Sequence, residues 1–295
     1  MISISRFETL NPGPHLIVLG AVHGNETCGT TAIRKLIDEL NNGLSLTKGT
    51  LTCVPICNPK AYEQGTRFYE RNLNRAMYIK ESPKDYEDFI DPVLCGLLDQ
   101  ADVLLDIHSY ASQGGPFGFL GSTNTQEIEY CRSLGINDFV YGWAEAFGKV
   151  EEDPRDNMGT VEYARSVGCV ATTIECGNHL NDDAADIAYY TIINALTHLG
   201  MMDPRGVEQD RVKPTDQQRF VQMKSVFYKE KEGDTTQPWK HYDTVEKNDV
   251  LATYADGEEL VAPERGVIIL PKLHTSVGGE WFYFGVETAS PEPLS

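Results

Sequence analysis

No stretch of the 295-residue chain approaches the roughly 18 consecutive apolar residues that a membrane-crossing helix needs. The opening Met-Ile-Ser-Ile-Ser-Arg also lacks the basic stretch and hydrophobic segment of an export signal, so the expectation is an unexported, cytoplasmic protein. Positive charge is scarce. Lys and Arg number 25 against 44 Asp and Glu, and the net charge of −19 repels nucleic acid and anionic lipid surfaces, which removes both from the expected partners. The same field repels an anionic small molecule at long range, so a site for one must carry its own arginines. Disulfide patterning is missing too: seven cysteines, an odd number without tight spacing, fit reduced thiols better than a cross-linked framework. Cys53 and Cys57 have no second pair downstream, which makes them buried thiols rather than half of a metal site. Internal repeats and low-complexity tracts are absent, and self-association into a homo-oligomer is left open.

What the chain does have is a core. Hydrophobic residues make up 41% of it, and its length suits one large enzyme domain plus a small appendage. Residues 15–22 form a short apolar run ending in His-Gly, and Ile33, Leu36, Ile37 and Leu40 follow at helical spacing before Asn41-Asn-Gly43. Residues 51–56, 103–107 and 169–174 are further apolar runs, and helical patterns over 92–100, 161–167 and 184–199 alternate with them. The alternation predicts an α/β fold with a mixed, mostly parallel sheet and helices on both faces. After Gly200 the character changes to a polar connector reaching Gln218, then strand-like segments at 220–229, 250–254, 266–270 and 281–286. The expected division is a larger domain over 1–204 and a small all-β domain over 205–295.

His23-Gly-Asn-Glu26 stands directly after the first long apolar run, at the carboxyl end of a strand, where open α/β sheets place their sites. A histidine and a glutamate three apart can converge on one cation, although the same letters also suit a surface histidine and a helix-capping glutamate. Asp102-Val-Leu-Leu-Asp-Ile-His108 supplies a third donor at the end of another buried strand. Two histidines and one glutamate leave a fourth coordination position for water, the catalytic arrangement of zinc. Asp106, on the same strand face as His108, is placed to hold a ligand imidazole or to cap a turn. Glu175 ends the apolar run over 169–174 and is the candidate carboxylate for moving a proton. The stretch Arg67-Phe-Tyr-Glu-Arg71-Asn72-Leu-Asn74-Arg75 packs three arginines into nine residues and provides the local cationic patch demanded above.

Four motifs, His23-Gly-Asn-Glu26, Asn72-Leu-Asn-Arg75, Asp106-Ile-His108 and Ile174-Glu-Cys-Gly177, occur in an order that resembles the aspartoacylase and succinylglutamate desuccinylase family, relatives of the zinc carboxypeptidases. The resemblance covers nearly the whole chain, since the family also carries a C-terminal β-domain. It implies one zinc ion per chain bound by His23, Glu26 and His108, with Glu175 as general base and a small N-acyl amino acid as substrate. It further implies that Asn74 and Arg75 hold the α-carboxylate, that Arg67 polarises the scissile carbonyl, and that Arg165 and Tyr283 contact substrate. Cys176, where the family usually has a small or apolar residue after the glutamate, reads as a packing thiol. His179, His198, His241 and His274 receive no role. Two other activities fit the same residues: a zinc carboxypeptidase or peptide amidase, and an inactive binding protein on the same fold.

Overall fold

A computed structural model of the chain describes residues 1–121, 124–147, 154–203 and 218–291. Its strands are β1 (Ser5–Glu8), β2 (His15–Leu19), β3 (Thr50–Val54), β4 (Val103–Tyr110), β5 (Phe117–Leu120), β6 (Asp138–Tyr141), β7 (Val170–Asn178), β8 (Arg219–Tyr228), β9 (Gly233–Thr235), β10 (Thr244–Val245), β11 (Val250–Tyr254), β12 (Glu259–Val261), β13 (Gly266–Ile269) and β14 (Glu280–Thr288). The helices are α1 (Cys28–Asn41), α2 (Pro59–Gln64), α3 (Asp91–Leu98), α4 (Thr125–Ser133), α5 (Trp143–Phe147), α6 (Thr160–Ser166) and α7 (Ala184–His198). Eleven strands form one mixed sheet in the order β1-β3-β2-β4-β7-β5-β6-β8-β14-β13-β10, and β12-β11-β9 form a small second sheet. The centre, β3-β2-β4-β7, is parallel throughout.

Period-2 alternation explains why the central strands read as unbroken apolar runs: both of their faces are covered. Leu16 and Val18 of β2 enter a core shared with α1, α4 and α7, whereas Ile17 and Leu19 enter a second core with Leu94 and Leu98 of α3 and Val161 and Ala164 of α6. The apolar face of α1 is the one its spacing predicts, with Ile33 and Leu36 fully buried. The four runs expected as strands in the first 200 residues are β2, β3, β4 and β7, and the helical patterns are α1, α3, α6 and α7. Three short strands in this part of the chain, β1, β5 and β6, lie outside the expected runs. Each has only four residues, too few for a periodicity to register.

The C-terminal strands are antiparallel among themselves, as their turn-rich sequence suggests, and β8 pairs in parallel with β6, which carries the large sheet on into them. Phe117 and Val140 share a core with Val221, Met223, Val267, Ile269 and Tyr283 across that seam. The polar connector, with the expected boundary near residue 205, lies mostly outside the described residues. No helix among the described residues is long and apolar enough to cross a membrane.

Phe139 of β6 stacks on Phe220 of β8 at 5.4 Å and is fully buried. Phe139→Ala leaves a cavity in this seam and is expected to cost about 3–5 kcal/mol in a denaturant titration; a loss below about 1 kcal/mol would show that the seam carries little of the packing.

Candidate metal and active site

Between β2 and α1 the chain makes a tight turn that presents His23 and Glu26. Ala21 takes a positive φ of 45°, a costly conformation for a residue with a Cβ. Main-chain bonds hold it there: Cys57 N donates to Gly20 O at 2.9 Å and Asn58 N to Ala21 O at 3.0 Å. Gly24 is required by close approach, because an added Cβ would lie 2.1 Å from the carbonyl carbon of Ala61. Its amide donates to Arg67 O at 3.2 Å, which ties the arginine-rich segment to the histidine turn.

Strand register brings in the other groups. Asp106 and His108 alternate onto the face that carries Leu104, opposite Leu105 and Ile107, which enter the other core. In the parallel pairing of β4 with β7, His108 is registered with Glu175 and Asp106 with Thr173. Two chain segments separated by some sixty residues thereby set an imidazole and a carboxylate side by side at the carboxyl ends of their strands.

The Glu26 carboxylate is the hub. Its Oε1 lies 2.9 Å from His23 Nδ1 and 2.9 Å from Arg67 Nη1, and its Oε2 lies 2.8 Å from His108 Nδ1 and 3.2 Å from Ser109 N. On their far sides the imidazoles are held by Asn72 Oδ1, 3.0 Å from His23 Nε2, and by Asp106 Oδ2, 2.9 Å from His108 Nε2. Thr160 Oγ1 donates to that same Asp106 oxygen. With both Nε2 atoms facing oxygen acceptors, both Nδ1 atoms are turned towards the hub.

Burial pushes His23 down to about 4, with Arg67 and His108 adding to the effect and Glu26 opposing it. Burial also opposes ionisation of Glu26, but the two histidines outweigh it and hold the carboxyl well below its ordinary value. For His108 burial is again overcome, here by Asp106 and Glu26, which keep it well above the ordinary histidine value. For Glu175 burial prevails: reinforced by the charge of Glu26, it outweighs the opposing charges of His108 and Arg67 and pushes the group up to about 8.

These residues fit a divalent cation. His23, Glu26 and His108 are all buried, and each offers a ligand atom within 4.8 Å of the others. His23 Nδ1 is shut away from solvent without a hydrogen bond, despite its proximity to Glu26. A buried nitrogen left unpaired beside a buried carboxylate is costly unless something electropositive sits between them. Two nitrogens and an oxygen are donors suited to zinc.

A cavity of about 440 Å³ opens on this cluster and is lined by every residue singled out from the sequence for substrate or proton transfer: Arg67, Asn74, Arg75, Arg165, Glu175 and Tyr283. Their engagements differ. Arg67 is half exposed, apart from its bond to Glu26. Asn74 Oδ1 accepts from Thr160 N at 2.9 Å at the start of α6, and Arg75 Nη1 donates to Asn74 O at 2.7 Å. Arg165 is gripped by buried Glu127, with Nε and Nη2 donating to its two oxygens at 2.9 and 3.1 Å. Tyr283 donates its hydroxyl to Glu280, which also pairs with Lys272. Cys176 is fully buried in the core, as a packing thiol would be. Asn72, Ser109, His179 and Glu280 also line the cavity, without a role expected from the motifs. His179 Nδ1 pairs with Ser109 Oγ at 2.9 Å in the cavity wall, and its place just beyond the end of β7 was the available signal.

Topology and the His-Glu-His cluster together define an α/β protein with a candidate mononuclear metal site. Residues 12–199 match the succinylglutamate desuccinylase/aspartoacylase catalytic domain, and the chain belongs to that family. It is 30% identical over 142 residues to a probable aspartoacylase from Nostoc sp., an alignment covering 44% of this chain and 47% of that protein. It is 26% identical over 214 residues to an N-alpha-acetyl-L-2,4-diaminobutyric acid deacetylase from Halomonas elongata, covering 72% and 60% respectively. The chain thus spans only 47% and 60% of the length of these two curated relatives. A succinylglutamate desuccinylase/aspartoacylase crystal structure from Rhodobacter sphaeroides shares the fold with a TM-score of 0.77 at 16% identity, over 97% of this chain and 90% of that one. The product-bound ectoine utilization protein from Ruegeria pomeroyi does so with 0.73 at 23% identity, over 96% and 88%.

Glu175 makes a pH test of the cavity. Its folded value of about 8 lies above the ordinary 4.5, so the stability it contributes is full below about pH 4.5 and is lost as pH rises through 8. Glu175→Gln abolishes that titration. The melting temperature of the metal-free variant, relative to the parent, is expected to climb by a few degrees between pH 5 and 8 and then level off; a difference flat across that window would contradict the raised value of the buried Glu175.

Proposed function

We propose that the chain is a zinc-dependent deacylase that hydrolyses the amide bond of an N-acyl amino acid. The observation that carries this reading is the buried Glu175, one carboxyl oxygen of which has no hydrogen-bond partner, beside the His23, Glu26 and His108 cluster, in one cavity with Arg67 and Arg75. The names of the relatives point the same way, since each describes removal of an acyl group from an amino acid. Zinc held by His23, Glu26 and His108 would polarise the scissile carbonyl and make water nucleophilic near neutral pH.

Glu175 takes the proton of the attacking water and passes it to the departing amine nitrogen. Its elevated value suits both halves of that task, because a stronger base accepts the proton and the resulting acid still releases it near neutrality. Arg67 exchanges its bond to Glu26 for the carbonyl oxygen of the substrate and stabilises the charge that develops there. Asn74 and Arg75 hold the α-carboxylate and fix the amide in register with Glu175. Asp106 and Asn72 keep the two imidazoles in the orientation described above. Arg165 reaches a substrate carboxylate only by giving up part of its pairing with Glu127, so its contribution to binding is smaller than that of Arg75. Glu280 and Tyr283 of β14, with Lys272, line the cavity, and a wall there favours a small substrate over the peptide of a carboxypeptidase or peptide amidase.

A panel of N-acetyl and N-succinyl amino acids and dipeptides, assayed with and without chelator and added zinc, tests the proposal. Chelator is expected to abolish hydrolysis and zinc to restore it; dipeptides cleaved faster than every N-acyl amino acid would transfer the assignment to a peptidase. Glu175→Gln should keep stoichiometric zinc and lose about 10²–10⁴-fold in kcat. Positive charge at the ligand cluster lowers Glu175 below its metal-free value, so the acid limb of kcat/KM is expected below pH 8 and should vanish in that variant.

A further inference from the structure

The segment carrying Arg67, Asn72, Asn74 and Arg75 contains no helix or strand, yet the proposed chemistry requires its side chains to be placed to within a fraction of an ångström. What fixes it is a carboxylate outside the cavity. Glu87, fully buried in a short 3-10 turn over Tyr86–Phe89, accepts main-chain hydrogen bonds from three successive residues of the segment. Tyr69 N donates to Oε1 at 2.8 Å, Glu70 N to Oε2 at 3.2 Å and Arg71 N to Oε2 at 3.1 Å. Asn58 Nδ2 completes the set with a bond to Oε1 at 2.9 Å, and Asn58 is itself bonded to Ala21 in the histidine turn. Burial opposes the charge of Glu87, but these donors outweigh it and hold the group below its ordinary value.

The next two acids in the chain extend the anchor. Arg71 Nε donates to Asp88 Oδ1 at 2.6 Å and its Nη2 to Asp91 Oδ2, while Lys80 lies 2.6 Å from Asp91. Pinned in this way, Arg71 turns Nη1 onto the carbonyls of Asn72 at 3.1 Å and Arg75 at 2.7 Å. Arg71 thus braces from behind the stretch whose Asn72 orients His23 and whose Asn74 and Arg75 face the cavity.

We propose that Glu87, assisted by Arg71, is a positioning residue for substrate recognition: it clamps residues 69–71 so that Arg67, on one side, and Asn74 and Arg75, on the other, converge on the substrate. This rests on the assignment of Asn74 and Arg75 to the α-carboxylate. Gln at this position keeps the volume but turns an N–H donor onto amides that themselves donate, so the clamp is broken with little change in shape.

The test compares Glu87→Gln with the parent, both loaded with zinc, by two readouts. Amide hydrogen exchange is expected to quicken at least tenfold at residues 69–71 in the variant, with α1 and β4 unchanged. The kcat/KM for an N-acetyl amino acid should fall about a hundredfold, chiefly through KM, while that for the matching carboxamide, which lacks the carboxylate, changes little. Unaltered exchange, or equal losses on acid and carboxamide, overturns the proposal. Should the parent hydrolyse no N-acyl amino acid, the deacylase assignment fails by itself, and the exchange measurement alone decides whether Glu87 clamps the segment. If Glu87→Gln does not fold, Glu87→Asp decides by the same two readouts, since it keeps the charge but falls one methylene short.

Discussion

Everything in the site is arranged around a carboxylate that should not be where it is. Glu26 is almost entirely excluded from solvent, and an isolated ionised acid in such surroundings is strongly disfavoured. It stays charged because His23, His108, Arg67 and the amide of Ser109 converge on it from separate parts of the chain. These partners share the burden imperfectly, with His23 Nδ1 unpaired and Glu175 pushed towards its protonated form. A divalent cation would answer both faults at once, as a partner for the nitrogen and as a positive charge near Glu175.

The acidic background gives the polar scaffold behind the cavity its importance. A chain of net charge −19 cannot attract an anionic substrate by its overall field, so recognition depends on a few arginines held at fixed positions. Those arginines lie on irregular backbone, which by itself would sample many conformations. Glu87, Asp88 and Asp91 replace the missing ladder hydrogen bonds with carboxylate bonds to main chain and guanidinium. Acids are thus used to place bases.

Continuity of the sheet gives the C-terminal strands a part in the site. Because β8 pairs with β6 and β14 with β8, the start of β14 is carried round to the cavity, where Glu280 and Tyr283 form a wall. The aromatic pairs at this junction, Phe139 stacked on Phe220 and Trp143 tilted against Tyr283 at 4.9 Å, pack the wall against the elements that precede it.

Some of this was legible in the letters. Apolar runs flanked by turn residues marked β2, β4 and β7, and the polar groups at their carboxyl ends, His23, His108 and Glu175, stood out because buried strands rarely finish on such residues without a task. The contrast between three arginines in nine residues and a strongly acidic whole marked the 67–75 segment. Local composition determines such features, so a single sequence carries them. Tertiary structure alone decided the rest. That His108 faces Glu175 depends on the register of two strands far apart in sequence, that Arg165 is occupied by Glu127 depends on α6 and α4 both lying against β7, and that Glu87 braces the arginine segment depends on a turn with no pattern of its own. Each is a relation between distant residues, and no periodicity or spacing along one chain encodes a relation that only folding creates.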